Sequence, residues 1–377
     1  MSFLDEFQRY SYEDVLSGIL AKNEEDVQRA LQKDRIRIDD FMALLCPAAS
    51  PFIEQMAHKA HRLTVQRFGN TILMYAPLYL SSFCTNGCRY CGFNATIKAH
   101  RRTLTPDEIR REATIIHGRG FRHILLVTGE APRVAGNEYF VQAAEQIRDL
   151  FSSISIEVYP MDESGYSRMA AAGVDGLTIY QETYDQKLYS EMHPFGKKRD
   201  FAFRLHAPER GGAAGLRRIG IGALLGLGNF RAEGFFTGLH AQYLSRAYWR
   251  THLSVSLPRM RPAEGGFMPP NPISDREFVQ LMCALRLLLP DAGISLSTRE
   301  SSTLRDNLLP LGVTQMSAGS CTSPGGYANP EESTKQFEIS DVRTPAEVER
   351  MIRGKGYEAV WKDWDRSFHD RETPSGM

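Results

Sequence analysis

ILMYAPLYLSSFCTNGCRYC, residues 72–91, is the stretch from which the fold is read. Its first nine residues are a short apolar run with two tyrosines, which predicts a buried strand over 72–80. Directly after it, where a strand gives way to a loop, three cysteines fall within eight residues. The same rhythm continues downstream. HILLVT (123–128), ISIEVYP (154–160), GLTIYQ (176–181), RIGIGALLG (218–226), LSVSLP (253–258), ISLST (294–298) and VTQMSA (313–318) are further short apolar runs, with longer helical stretches between them. Between the first two runs, Thr105-Pro106-Asp107-Glu108 predicts a capping box with proline at the first helical position. Ile109, Ala113 and Ile116 then share one apolar face. Eight strands alternating with helices predict the α/β class, as a (β/α)8 TIM-type barrel.

Working outward from the barrel, residues 1–69 predict an N-terminal helical extension. EEDVQRALQ (24–32), DDFMALLCP (39–47) and PFIEQMAHKAHRLTVQRFG (51–69) space their apolar residues by three and four, with breaks at Pro47 and Pro51 and a C-cap at Gly69. The barrel then occupies 70–320. A tail over 321–377 is Pro/Gly-rich, then acidic, and has a helical stretch before WKDWD (361–365); it is expected to pack on the barrel.

Of the 377 residues 42% are hydrophobic, enough for one large core. Lys+Arg and Asp+Glu each total 45, and this balance argues against a nucleic-acid or membrane-surface binder, which needs a basic excess. MSFLDEFQRYSYEDV has neither the basic nor the apolar segment of a signal peptide, and no apolar run approaches the roughly 18 residues of a membrane span. A cytoplasmic protein is expected. In a reducing compartment, three clustered cysteines beside single Cys46, Cys283 and Cys321 indicate metal binding rather than disulfides.

Cys84, Cys88 and Cys91 stand at spacings suited to a [4Fe-4S] cubane, each holding one iron and leaving the fourth open to the amino and carboxylate groups of S-adenosyl-L-methionine (SAM). Tyr90 is placed to shield such a cluster. A structural zinc site is the competing explanation, but zinc sites use four ligands in two pairs, and no second pair with that spacing follows. Thr128-Gly129-Glu130, at the end of the second strand, offers a carboxylate for the methionyl ammonium of SAM; a solvated loop glutamate is the plainer alternative. In Gly220–Leu227, strand glycines imply close approach by a ligand or another backbone. Gly222, Ala223 and Leu224 therefore form either a surface for adenine or a tightly packed barrel strand, and both remain open. Ser297-Thr298-Arg299-Glu300 follows the seventh strand, where an arginine suits bidentate capture of a carboxylate or a loop salt bridge. Glu182, in Gln181-Glu182-Thr183-Tyr184, suits a ribose or a substrate amine. His193 and Arg259 are further candidates, each with a structural alternative.

Taken in order, these motifs resemble the 2-iminoacetate synthase family, the tyrosine lyases of anaerobic thiazole (thiamine) biosynthesis. The likeness runs from LTVQRFGNT (63–71) and PLYLSSFCTNGCRYCGF (77–93) through LLVTGE, IYQETY, GIGALLGL, LSVSLPRMRP, LSTRE and PGGYA to VWKDWD (360–365). It implies a cluster on Cys84, Cys88 and Cys91 that cleaves SAM reductively to a 5′-deoxyadenosyl radical. That radical takes hydrogen from L-tyrosine, whose Cα–Cβ bond breaks to give 2-iminoacetate (dehydroglycine) and p-cresol. Carried over, Glu130 binds the SAM ammonium, Glu182 lies near the ribose or amino-acid portion, Arg299 anchors the tyrosine carboxylate and Ser297 shapes the pocket. A flavodoxin or ferredoxin electron donor and thiazole synthase as partner are implied as well. Two positions depart from the pattern: Thr128 replaces a common glycine, and Cys46 stands where serine is expected. Three other readings compete. A carbon monoxide- and cyanide-forming tyrosine lyase of hydrogenase maturation needs a C-terminal cysteine trio, and here only Cys283 and Cys321 follow Cys91. The other two are a tryptophan lyase and a noncatalytic Fe–S or zinc protein.

Overall fold

The structure, a computed structural model, describes residues 2–329 and 334–365. Nine strands form one sheet: β1 (Thr71–Ser81), β2 (His123–Thr128), β3 (Ser153–Glu157), β4 (Gly176–Thr178), β5 (Arg218–Gly222), β6 (His252–Ser256), β7 (Gly293–Leu296), β8 (Gln315–Ser317) and β9 (Glu358–Val360). β1 to β8 pair in chain order, all parallel, and the β1–β2 pairing closes the ring. This is the eight-stranded barrel the apolar runs predict. Each strand turns a row of apolar side chains to the helices that cover the barrel, which is why each carries Ile, Leu, Val or Met; in β3, β6 and β7 that row alternates with serine facing inward.

Two details differ from expectation. The ladders of β3, β4 and β5 end several residues before their apolar runs do, and past β4 the chain keeps its bonds to the β5 side. Ile179 N–H and Gln181 N–H still donate to Gly220 O and Gly222 O at 2.9 and 3.0 Å. Second, β9 adds a parallel strand at the start of β1, pairing Ile72 with Ala359. β1 is 11 residues long, longer than its barrel neighbours require, and its free first residues accept this short partner.

Local signals act as read. Thr105 and Glu108 form the reciprocal capping box of helix Pro106–Gly118, and Gly69 ends helix Ile53–Phe68 at φ +65°. The N-terminal helices lie on the outside of the barrel, where the Phe3 ring stacks on His240 at 3.9 Å and Phe7 packs on Phe236 at 5.1 Å. Cys46 is buried behind helix Ile38–Leu45, where its carbonyl accepts from Gln280, as a packing thiol would be. In the tail, buried Asp341 is paired with Arg305 and Arg343.

The WKDWD segment closes the lower end of the barrel. His123 and Arg218 start β2 and β5, and Asp363 sits 3.0 Å from His123 Nε2 and 3.7 Å from an Arg218 nitrogen. Trp361 packs against Phe121, and Arg217 lies over the Trp364 ring. Inside, the barrel departs from the usual filling of branched aliphatics. Tyr75, Ser155, Thr178, Ser254, Ser256 and Ser295 surround a polar cavity of about 60 Å³. Among the described residues no helix is long and apolar enough to cross a membrane.

Candidate active site

The cysteine loop leaves the upper end of β1 and is held from three sides. Thr85 N–H donates to Glu130 O at 2.9 Å, beyond β2; Gly87 and Arg89 N–H donate to Phe195 O and Met192 O; Gly92 N–H donates to Gln336 O of the tail at 3.0 Å. Gly87 packs directly under the Phe195 ring, which a Cβ there would displace. So anchored, the loop turns Cys84, Cys88 and Cys91 to one chamber, shared with Thr128, Glu130, Glu157, Glu182, Lys198, Arg204 and Gln336.

The donor set of this chamber fits an iron–sulfur cluster. All three cysteines are free thiols. Among the described residues no three His, Cys, Asp or Glu side chains converge on one ion, whereas cubane ligands each hold a different iron. Burial pushes the Cys88 thiol up to about 12 and raises Cys91, so both await a metal charge to become thiolates. Phe93 N–H lies 3.4 Å from Cys91 Sγ, Gln336 Nε2 lies 3.9 Å from it, and Asn86 Nδ2 lies 3.7 Å from Cys84 Sγ. Such donors tune the potential of a bound cluster. The remaining cysteines line other parts of the molecule: Cys46 and Cys283 are buried among helices, and Cys321 contacts Ser323.

Around the thiols the structure sorts the predicted residues. Thr128 Oγ1 is buried without a hydrogen-bond partner, an open polar atom on the chamber wall. Gly129 lets the end of β2 pass under the cysteine loop, since a Cβ would meet Phe83 O and Cys84 Cβ. Glu130 is buried and accepts from Asn86 Nδ2 at 2.7 Å through one oxygen. Glu182 has φ +71°, the left-handed region, and its turn is fixed by Glu233, which accepts from Thr183 Oγ1, Tyr184 N–H and Tyr12 OH. The Glu182 carboxylate already has partners: Lys198 Nζ at 2.6 Å and Arg204 at 3.4 Å. Burial alone would raise its pKa, but those two charges hold it below the usual range.

Gly222 is explained by packing. A Cβ on Gly222 would overlap Ser256 O of β6, so its close neighbour is another backbone. Ala223 pairs with Glu182, Leu224 N–H donates to Glu182 O at 2.8 Å, and the Leu224 and Leu227 side chains pack beside Tyr90. His193 holds Tyr90. Burial lowers its pKa to about 3, so the ring is neutral; Nδ1–H donates to Tyr189 O at 2.7 Å, and Nε2 accepts from Tyr90 OH at 2.7 Å. Arg259 is structural too: it binds Glu300 and Asp275, and Arg261 binds the same Glu300. Arg299 differs from both. Its guanidinium lies over the Phe337 ring at 3.4 Å and makes no ion pair among the described residues, while Ser297 Oγ accepts from its backbone N–H at 3.4 Å.

Sequence reasoning missed Lys198, Arg204, Asn86, Glu157, Gln336 and Phe337. Asn86 lies inside the cysteine motif and was readable there. Lys198 belongs to a KKR run that gives no sign which residue turns inward, and Gln336 and Phe337 arrive from a tail with no periodic pattern.

Over 365 residues, covering 97% of both chains, the sequence is 44% identical to the 2-iminoacetate synthase of Escherichia coli (strain K12). The chain belongs to the 2-iminoacetate synthase family. That family's enzyme from Salmonella typhimurium is 43% identical over the same coverage. The Radical SAM superfamily model matches residues 78–233, from β1 into the helix after β5, and the Biotin and Thiamin Synthesis associated domain matches 256–358. Among solved structures, the FeFe-hydrogenase maturase HydG from Carboxydothermus hydrogenoformans superposes with a TM-score of 0.86 at 32% identity, covering 95% of this chain and 84% of that one. Methylornithine synthase (PylB) shares the fold at 22% identity and TM-score 0.71, covering 89% and 97%. As a member of the 2-iminoacetate synthase family, the chain is a radical SAM enzyme whose cofactors are a [4Fe-4S] cluster and SAM.

Proposed function

We propose that this chain is a carbon–carbon lyase that breaks the Cα–Cβ bond of L-tyrosine, giving 2-iminoacetate (dehydroglycine) and p-cresol and so supplying the thiazole moiety of thiamine. The observation that carries this is the 44% identity to a 2-iminoacetate synthase across 97% of both chains. When bound, the cluster and SAM supply the adenosyl radical that begins the reaction.

The chain's own residues bind and orient. Cys84, Cys88 and Cys91 hold the cluster. Glu130 receives the methionyl ammonium of SAM, with Thr128 Oγ1 as a further polar contact and Gly129 leaving room for the loop. Ala223 and Leu224 offer apolar surface to the adenine, while Glu182, steadied by Lys198 and Arg204, faces the ribose. Arg299 binds the tyrosine carboxylate: its guanidinium lies over the Phe337 ring, makes no ion pair among the described residues and can give two parallel hydrogen bonds. Ser297 fixes the turn that aims it. Holding tyrosine against the reacting centre in a chamber walled by Phe93 and the tail restricts its motion and limits water.

A flavodoxin or ferredoxin would deliver the electron, and thiazole synthase would take the imine before water hydrolyses it. The reading places the enzyme in the cytoplasm, where six free cysteines stay reduced. The test is an anaerobic reaction of the reconstituted protein with SAM, dithionite and L-tyrosine. Formation of p-cresol with deoxyadenosine is expected. Cleavage of tryptophan in place of tyrosine, or deoxyadenosine with no p-cresol, overturns the reading.

A further inference from the structure

Three carboxylates line the chamber of the cysteine trio, and only one is unclaimed. Glu182 is paired with Lys198 and Arg204, and Glu130 accepts from Asn86. Glu157 has no hydrogen bond or ion pair among the described residues. It ends β3, whose side chains alternate: Ile154 and Ile156 enter the core under the helices, while Ser153 and Ser155 line the polar cavity inside the barrel. Glu157, two residues above Ser155, continues that inner row into the chamber.

Arg299 follows β7 and lies over Phe337, the residue after chamber-lining Gln336, and makes no ion pair among the described residues. The two are close enough for their charges to interact, and Arg299 is the strongest cation acting on Glu157. They are not bonded to each other. Leaving two opposite charges apart on a partly desolvated wall costs stability unless a ligand bridges them. A ligand that bridges them carries a cation and an anion a few bonds apart, as an α-amino acid does.

We propose that Glu157 binds the substrate's ammonium, forming with Arg299 a clamp that selects a free α-amino acid by both of its charges. The inference rests on the lyase reading and adds a residue to it. Burial pushes the Glu157 carboxyl up to about 7, with Arg299 pulling it back, so its charged form still lacks a full partner.

The experiment measures equilibrium binding to the reconstituted holoenzyme with SAM. The ligands are L-tyrosine and 3-(4-hydroxyphenyl)propionate, the same molecule without its ammonium. Glu157→Gln should weaken tyrosine by at least about tenfold, the scale of a lost charged hydrogen bond. The propionate should shift by less than about threefold, with iron content and SAM affinity unchanged. Equal losses for the two ligands, an unchanged tyrosine affinity, or loss of SAM affinity instead would overturn the assignment. If the variant fails to assemble, the wild type decides. It should bind the propionate at least about tenfold more weakly than tyrosine, and equal affinities sink the clamp. Wild-type protein that selects tyrosine yet forms no p-cresol would discard the lyase reading while leaving the clamp standing. Wild-type protein that binds no tyrosine discards both.

Discussion

The two ends of the barrel differ in how fully the chain pairs their charges. At the lower end, Asp363 meets His123 and Arg218, and Asp175 takes Arg217 at 2.6 Å together with Ser153 Oγ and the Ile154 N–H. At the upper end, Arg299, Glu157 and Thr128 Oγ1 have no such partners among the described residues, and three free thiols share a chamber with Glu157 and Thr128. Both ends are built from strand termini of one sheet, so the difference lies in what the connecting segments bring. The WKDWD segment supplies an acid and an indole ring to the lower end. The cysteine loop and residues 335–338 supply thiols, an amide and a ring to the upper end. The lower end pairs its acids within the chain; the upper end pairs Glu182 in the same way but leaves Arg299 and Glu157 to ligands.

The largest test of this contrast removes the thiols. Cys84→Ala, Cys88→Ala and Cys91→Ala should each abolish a stable cluster, read as loss of iron and of SAM cleavage. Cys46→Ser, Cys283→Ser and Cys321→Ser should retain iron, whatever they cost in packing. Need for Cys283 or Cys321 in cluster assembly would contradict a three-thiol site.

Next in size is Arg299→Lys, which keeps charge and removes the fork. Tyrosine affinity should fall by about 1.5–3 kcal/mol, the worth of a hydrogen bond to a charged group. p-Cresol should fall further than deoxyadenosine, because a loosely held amino acid spends less time in reach. Parallel loss of both products would assign Arg299 to SAM or to the fold. Glu130→Gln should be milder. Its amide oxygen can still accept from Asn86, so SAM affinity should drop by about 1–1.5 kcal/mol, the difference between charged and neutral hydrogen bonds, with tyrosine affinity nearly unchanged. Equal losses for both ligands would mark Glu130 as structural.

These targets were legible in the sequence to unequal degrees. The barrel was readable because its strands recur as short runs rich in Ile, Leu and Val between helical stretches, and the thiols because metal-ligand spacing is local. β9 was not readable: three residues, Glu358–Val360, carry no periodicity, and only the overhang of β1 gives them a place. Glu157 was hidden because one charge at a strand end looks the same whether it faces solvent or a chamber. Gln336 and Phe337 were hidden because they reach the site through tertiary packing of the tail. Glu182 was found, but its two cationic partners lie 16 and 22 residues further along, beyond any local pattern.

The smallest prediction tests the lower end. Burial would raise the pKa of Asp363, but the hydrogen bond from His123 and the Arg218 charge outweigh it and bring it to about 2 from 3.8. A carboxyl depressed in the folded state stabilises above its unfolded pKa, and that stability is lost as pH falls through the folded one. The Asp363 contribution is therefore whole above pH 3.8 and gone near pH 2. The Asp363 side chain is 38% exposed, so solvent screening trims the contribution to about 1 kcal/mol or less. His123 adds to the acid sensitivity in a higher window: burial lowers its pKa, so protonation of the unfolded chain below about 6.5 favours unfolding. Asp363→Asn should accordingly lower the apparent unfolding temperature by a degree or two, roughly what 1 kcal/mol does in a chain of this size. Iron content, SAM affinity and tyrosine affinity should match wild type, since the substitution lies at the far end of the strands from Cys84, Glu130 and Arg299. A fall in tyrosine affinity comparable to that of Arg299→Lys would mean that the closed end transmits its packing through the serine-lined interior to the chamber, and the division of labour between the two ends would no longer hold.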